Sequence, residues 1–247
     1  MAPQNVYDNP EFFAGYQRLR ETGSGLNDVL EQPALRAMIP ASLDGLRVLD
    51  VGCGFGDFAR KARAFGASSV IGIDVSESML SEASKKTDDP RVRYVRMSIE
   101  EMDLGDEKFD LVVSSLALHY VEDYRAALRR IAEVLNPGGR FVFSVEHPIC
   151  TALEEQRWIL DEDGKPLFWP IDNYRSEGPR HTKWFVENVV KYHRTVESYV
   201  QGLLDTGFSL EGLAEPEPTA ESLSLNPGLL LHRRRPPFLL MAAIKQR

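Results

Sequence analysis

The residues best equipped for chemistry fall into two groups. The first is VLDVGCGFG, Val48 to Gly56, where Gly52, Gly54 and Gly56 alternate with Cys53 and Phe55 directly behind Asp50. Glycine costs stability unless a position needs positive φ or a backbone free of side chains, so this density marks a place where main chain approaches a ligand. A carboxylate just ahead of such a loop suits a cationic ligand better than a pyrophosphate. Asp74 closes the next apolar run, SVIGID, where an acid can accept the hydroxyl hydrogens of a ribose. A nucleoside carrying a positive group satisfies both. The second group is able to move protons: His119-Tyr120 follows the run FDLVVSS, Glu146-His147-Pro148 follows FVFSV, and His193 lies further on. Imidazole titrates near neutrality, and a base helps when the atom under attack is a hydroxyl or a protonated amine. His119, His147 and His193 are therefore candidate bases, with packing roles open for His119 beside a helix start and for His193 in a strand.

Side chains this far apart in sequence need a framework to bring them together. Short apolar runs at 47–51, 69–74, 92–97, 109–114 and 140–145 alternate with helical spacing at 56–65, 78–86 and 125–135. That alternation is the pattern of a parallel sheet with crossover helices. Asn136-Pro137-Gly138-Gly139 is expected to stop the third helix sharply, and 33–39 reads as a further helix leading in. Two last strands are expected at 207–213 and 237–244, after a helix at 196–204. Between 148 and 194 the pattern breaks, and all three tryptophans, Trp158, Trp169 and Trp184, fall there with several prolines. The segment is too long for a plain connection and too aromatic for a linker, so it reads as a folded cap over the site. The expected division is a core of 1–147 and 195–247 with an inserted cap of 148–194.

Together these motifs resemble the class I S-adenosylmethionine-dependent methyltransferases over roughly residues 45–147. VLDVGCGFG is similar to that family's first motif, IGIDVSESML to its second, FDLVVSSLALHYVED to its fourth, and LNPGGRFVFSVEHP to the segment that follows. The resemblance implies an α/β fold, a doubly wound Rossmann-like seven-stranded sheet that is mostly parallel with an antiparallel last strand. It implies S-adenosyl-L-methionine as cofactor, with Asp50, Gly52, Cys53, Gly54 and Gly56 around its methionine part, Asp74 on its ribose, and Val75 and Met79 beside its adenine. Where the family often has Gly-Asp-Ala after strand three, this chain has Met97-Ser98-Ile99 followed by Glu100. Ser98, Ile99 and Glu100 are the expected adenine contacts, and Ser114 at the end of strand four completes the set. Tyr16 and Arg20 stand where many members acting on small molecules close an N-terminal helix over the cofactor.

Several classes of function are disfavoured. The chain has a formal charge of −8, so its overall field repels polyanions and nucleic acid is an unfavoured partner. The exception, His232-Arg233-Arg234-Arg235, reads as a loop ahead of the last strand. Two cysteines make no disulfide framework, and neither sits as a nucleophile. Ser114-Ser115-Leu116-Ala117 replaces the Asn/Asp-Pro-Pro-Tyr/Phe tetrad of enzymes that methylate DNA bases and glutamine. No metal is expected, since no acidic cluster offers the oxygen ligands a hard cation needs. With no apolar run of about 18 residues and no leader pattern, the reading is a cytoplasmic protein without membrane attachment. The expected activity is methyl transfer to oxygen or nitrogen of a small molecule. RNA or protein methylation, or a non-catalytic cofactor-binding module, are the alternatives, and a homodimer stays open.

Overall fold

In the computed structural model, which describes residues 4–23 and 25–246, the expected apolar runs form one sheet of seven strands. In chain order these are β1 (Arg47–Val51), β2 (Ser69–Asp74), β3 (Val92–Arg96), β4 (Phe109–Ser115), β5 (Leu135–Glu146), β10 (Phe208–Ala214) and β11 (Phe238–Lys245). Four short strands between β5 and β10 lie outside this sheet. The spatial order is β3-β2-β1-β4-β5-β11-β10; the first five strands run parallel, and β11 is antiparallel to both its neighbours. Chain direction across the sheet reverses between β1 and β4, and a ligand crevice belongs at the carboxyl edge there.

Alternate strand residues face opposite layers, and that alternation builds the core. On one face Leu49, Val51, Ile71 and Ile73 pack with α5 (Tyr124–Val134) and α7 (Val196–Asp205) through Leu128, Ile131, Tyr199 and Leu203. On the other, Val48, Val70, Leu111 and Val113 pack with α2 (Gln32–Met38) and α3 (Asp57–Ala64) through Leu35, Phe58 and Ala62. Helix α4 (Glu77–Lys85) starts where Ser76 accepts the Met79 N–H, as an N-cap serine does. Helix α1 (Pro10–Glu21) is capped by Asn9, which accepts from Glu11 and Phe12.

Two local differences from the sequence reading have physical causes. Asn136-Pro137-Gly138-Gly139 does not separate helix from strand; it bulges within β5, where Leu135 pairs with Phe109 and pairing resumes at Arg140 with Leu111. Gly138 provides the positive φ of 78° that the bulge requires. The triple arginine is not a bare loop, because Leu231–Arg234 makes a helical turn, α9, behind α8 (Ala220–Leu225).

Residues 148–194 form a short helix, α6 (Pro148–Thr151), and two antiparallel hairpins outside the main sheet. The first pairs β6 (Ile159–Leu160) with β7 (Pro166–Phe168), and the second pairs β8 (Gly178–Trp184) with β9 (Val186–His193). A strap at 4–8 links the second hairpin to the core. The Gln4 amide donates to the Val190 carbonyl and accepts the Val190 N–H, while Asp8 accepts from Ser76 Oγ, Glu77 N and Ser78 N at the start of α4.

Candidate active site

The glycine loop leaves β1 in a conformation that side chains rarely adopt. Gly52 has φ 74°, and a Cβ there would lie 2.5 Å from the Ala117 methyl. Gly56 has φ 71°, and a Cβ would meet the Tyr94 hydroxyl at 2.0 Å. The Gly52 and Cys53 N–H groups bond the Ile73 carbonyl at 2.8 and 2.9 Å, which fixes the loop to the end of β2.

Asp74 is held from two sides. One carboxylate oxygen accepts the Gly54 N–H at 2.9 Å and the other the Ser76 N–H at 2.9 Å. Burial raises its pKa, and those main-chain bonds oppose the rise. Asp50 is 2 % exposed and its Oδ2 is buried with no hydrogen-bond partner. Burial, with the charges of Asp74 and Asp57 behind it, pushes the Asp50 pKa up to about 8. Cys53 is also buried, its thiol pushed far up by burial, which makes it inert as a nucleophile.

These groups open into a cavity of about 690 Å³. Of the residues read from the sequence, Tyr16, Arg20, Asp50, Gly52, Cys53, Gly54, Asp74, Val75, Met79, Ile99, Glu100 and His119 line it. Arg20 is braced by Asp28 at 2.9 Å, by Asp57 at 3.4 Å and by Asn27. Tyr16 stands between Phe55 and Trp184, with ring centroids 5.7 and 5.9 Å away. Other sequence candidates lie elsewhere. Gly56 is outside the cavity wall and starts α3. Ser98 accepts the Glu101 N–H, and Ser114 donates to the Val51 carbonyl inside the sheet; its neighbour Ser115 faces the cavity. Beneath Ser115, the buried Glu31 accepts from Ser115, Ser144 and Gln32, a pin across the ends of β4 and β5.

The three histidines separate in the same way. His119 faces the cavity, is 2 % exposed, and burial pushes its pKa down to about 4, so it is neutral at physiological pH. Its Nδ1 accepts the Glu146 N–H at 3.4 Å, which leaves the ring proton on Nε2. His147 is outside the wall: Nδ1 accepts the Ile149 N–H to cap α6, and Nε2 meets Glu215 at 2.7 Å. His193 is buried between the Thr151 hydroxyl at 2.8 Å and the Tyr174 carbonyl at 2.9 Å.

Two charged groups that the sequence reading noted without a role in the site, Glu146 and Arg235, also line the cavity. Glu146, at the end of β5, pairs through Oε1 with Lys191 of β9 at 2.5 Å, while its Oε2 is buried without a partner. Burial would raise this carboxyl, but the charge of Lys191 and the hydrogen bond it gives outweigh it and hold the pKa below the ordinary value. Arg235 comes from the segment just before β11 and lies beside Cys150 and Trp169. Their pairing with Lys191 and Cys150 was not visible beforehand, because segments 45 or more residues apart meet only once the fold is known. Tyr7, Tyr120, Trp158, Trp169 and Trp184 complete the wall at this end. Among the described residues no group of three or more His, Cys, Asp or Glu side chains is placed to hold a metal ion. None of the described helices is long and apolar enough to cross a membrane.

Comparison with known proteins gives the same picture of the core. Residues 49–143 match the family model for a methyltransferase domain. A crystal structure of an S-adenosylmethionine dependent methyltransferase from Mesorhizobium loti superposes with a TM-score of 0.82 at 45% identity, covering 90% of this chain and 100% of that one. An uncharacterized protein of Haemophilus influenzae is 35% identical over 219 residues, 86% of each chain. A ubiquinone/menaquinone biosynthesis C-methyltransferase of Vibrio vulnificus is 39% identical over 143 residues, 53% of this chain and 55% of that one.

Proposed function

This chain belongs to the S-adenosylmethionine-dependent methyltransferases, and from that premise we propose that it carries a methyl group to an oxygen or nitrogen atom of a small molecule enclosed beneath the 148–194 hairpins, which serve as a cap. The observation that carries this reading is one continuous cavity joining Asp50, Asp74 and the glycine loop to Glu146 and three tryptophans. A concave cavity with an aromatic wall at one end and polar groups converging on it is how small ligands are held, whereas a macromolecule needs an open groove.

The residues present fit the cofactor. Two of the lone-pair positions of Asp74 are taken by Gly54 and Ser76, and the remaining ones can accept ribose hydroxyls. Val75, Met79 and Ile99 offer apolar flanks to a purine, with Glu100 at its edge for an exocyclic amine. Ser98 and Ser114 act behind the wall in this reading, and Gly56 acts by shaping the loop. Asp50, with its unpartnered oxygen, would face the cationic methionine portion, and Arg20 with Tyr16 would close over the carboxylate end.

Bound S-adenosylmethionine supplies an activated methyl group on a sulfonium centre. The chain's own part is then to align a nucleophile, keep water out and receive a proton. Glu146 suits the last task better than the histidines, since it is held ionised by Lys191 and has a free oxygen in the site. His119, with its proton on Nε2, is placed to donate a hydrogen bond that orients the acceptor. His147 and His193, engaged elsewhere, hold α6 and β9 in position.

The test is calorimetric titration of S-adenosylmethionine, S-adenosylhomocysteine and NAD into the purified protein and into Asp74→Ala. The first two should bind, NAD should not, and the substitution should weaken binding at least tenfold. Binding of NAD alone would end this reading.

A further inference from the structure

Arg235 is set in the cavity in a way that its other contacts leave unfinished. Its guanidinium lies over the Trp169 ring, 4.1 Å from the centroid, and Trp169 is fixed by an indole N–H bond to the Ile149 carbonyl and by edge contact with Trp158. Nη1 points at the Cys150 sulfur at 2.6 Å, and Nη2 lies 3.4 Å from His232 Nδ1. Both are weak acceptors for a cation: burial pushes the Cys150 thiol up to about 12, so it carries no charge, and burial holds His232 neutral, with a pKa of about 4. The Nε–H is buried with no partner at all. An unmet charged donor is costly to bury. Glu146, which lines the same cavity and feels the charge of Arg235, is already paired with Lys191 at 2.5 Å, so Arg235 keeps a net positive potential at the Trp158–Trp169 end.

Resting on the methyltransferase reading, we propose that Arg235 recognises a carboxylate on the methyl acceptor, which makes that acceptor an aromatic or otherwise flat organic acid lying along Trp158 and Trp169. The Nε–H edge of an arginine is one of the two forks that match a carboxylate. Stacking on Trp169 holds that fork in place before any ligand arrives. The acid would be anchored at Arg235 while its nucleophilic atom extends toward Glu146 and His119.

The probes are phenylacetate, its neutral isostere phenylacetamide, and phenyl phosphate, each titrated by tryptophan fluorescence into protein saturated with S-adenosylhomocysteine. Phenylacetate should bind about tenfold or more tighter than the amide, and Arg235→Gln should abolish that preference while leaving S-adenosylhomocysteine affinity within twofold. Equal binding of acid and amide, no binding of either, or a preference that survives Arg235→Gln would overturn the proposal. A phosphate preferred over the carboxylate would overturn it too, in favour of a phosphorylated acceptor. Should Arg235→Gln fail to fold, Arg235→Lys keeps the charge without the planar fork and should lose at least threefold of the preference; an unchanged preference counts against the proposal. Failure of S-adenosylhomocysteine to bind the unmodified protein would instead strike the methyltransferase reading itself.

Discussion

At the scale of single residues, Asp50 makes the sharpest statement. Its pKa of about 8 means that it is mostly protonated at neutral pH in the ligand-free chain. A cation placed at its free oxygen favours the ionised form, so binding must expel a proton wherever the pH lies below about 8. Affinity for S-adenosylmethionine should therefore climb as pH rises from about 6 to 8, by up to about tenfold per unit. Calorimetry at pH 7 in buffers of different ionisation enthalpy should show close to one proton released, and Asp50→Asn should show none from this position. Equal proton release in both proteins would place the cation elsewhere. The same group works against folding without ligand. Its folded pKa lies above the unfolded value of 3.8, so the native state binds more protons than the unfolded chain between about 4 and 8, and its contribution to stability falls as pH rises through that window.

At the scale of elements, the turn from β1 into α3 is where geometry leaves least room. Gly52→Ala would force a side chain into positive φ and against Ala117 at once, costing about 1–3 kcal/mol. Thermal unfolding should fall by several degrees, and S-adenosylhomocysteine binding should weaken in parallel because Ala117 lines the same cavity. An unchanged melting temperature would mean the loop relaxes freely. That turn was legible in the sequence because glycine, aspartate and an apolar run signal their backbone requirements locally. The strands of the main sheet were legible for the same reason, their apolar runs being continuous. The hairpin of β8 and β9 was not. Its buried residues on β9 are Val189, Lys191 and His193, and two of those three are ionisable, so the strand shows no apolar alternation even though it alternates in burial. Arg235 was hidden by its neighbours: Arg234 turns out to bond the Pro166 and Leu167 carbonyls, and nothing local separates it from the arginine one residue later.

At the scale of the whole molecule, the strap at 4–8 connects parts that the chain order keeps far apart. The Gln4 side-chain amide bonds both the N–H and the carbonyl of Val190, Asp8 is pinned to α4, and Tyr7 packs between Tyr16 and Tyr120 over the cavity. The Asp8 carboxyl is held well below the usual range: burial would raise it, but the bonds from Ser76, Ser78 and Asn5 prevail. Gln4→Ala removes two hydrogen bonds, each worth about 1 kcal/mol net. It should speed both association and dissociation of S-adenosylhomocysteine by about fivefold or more with little change in affinity, as stopped-flow fluorescence would show. Unchanged rates would mean that ligands pass by another route.

The ion pair between Glu146 and Lys191 joins the core sheet to the hairpin above it, and this gives hairpin motion an acid–base character. With the hairpin seated, the ammonium keeps Glu146 a weak acceptor of protons. Lifting the hairpin would carry the ammonium away and strengthen the carboxylate as a base, so a proton taken from a methyl acceptor would stay on Glu146 while the site is open and be surrendered when the hairpin settles again. Product would then leave on the opening stroke and the proton on the closing one, one motion setting the order of the two departures.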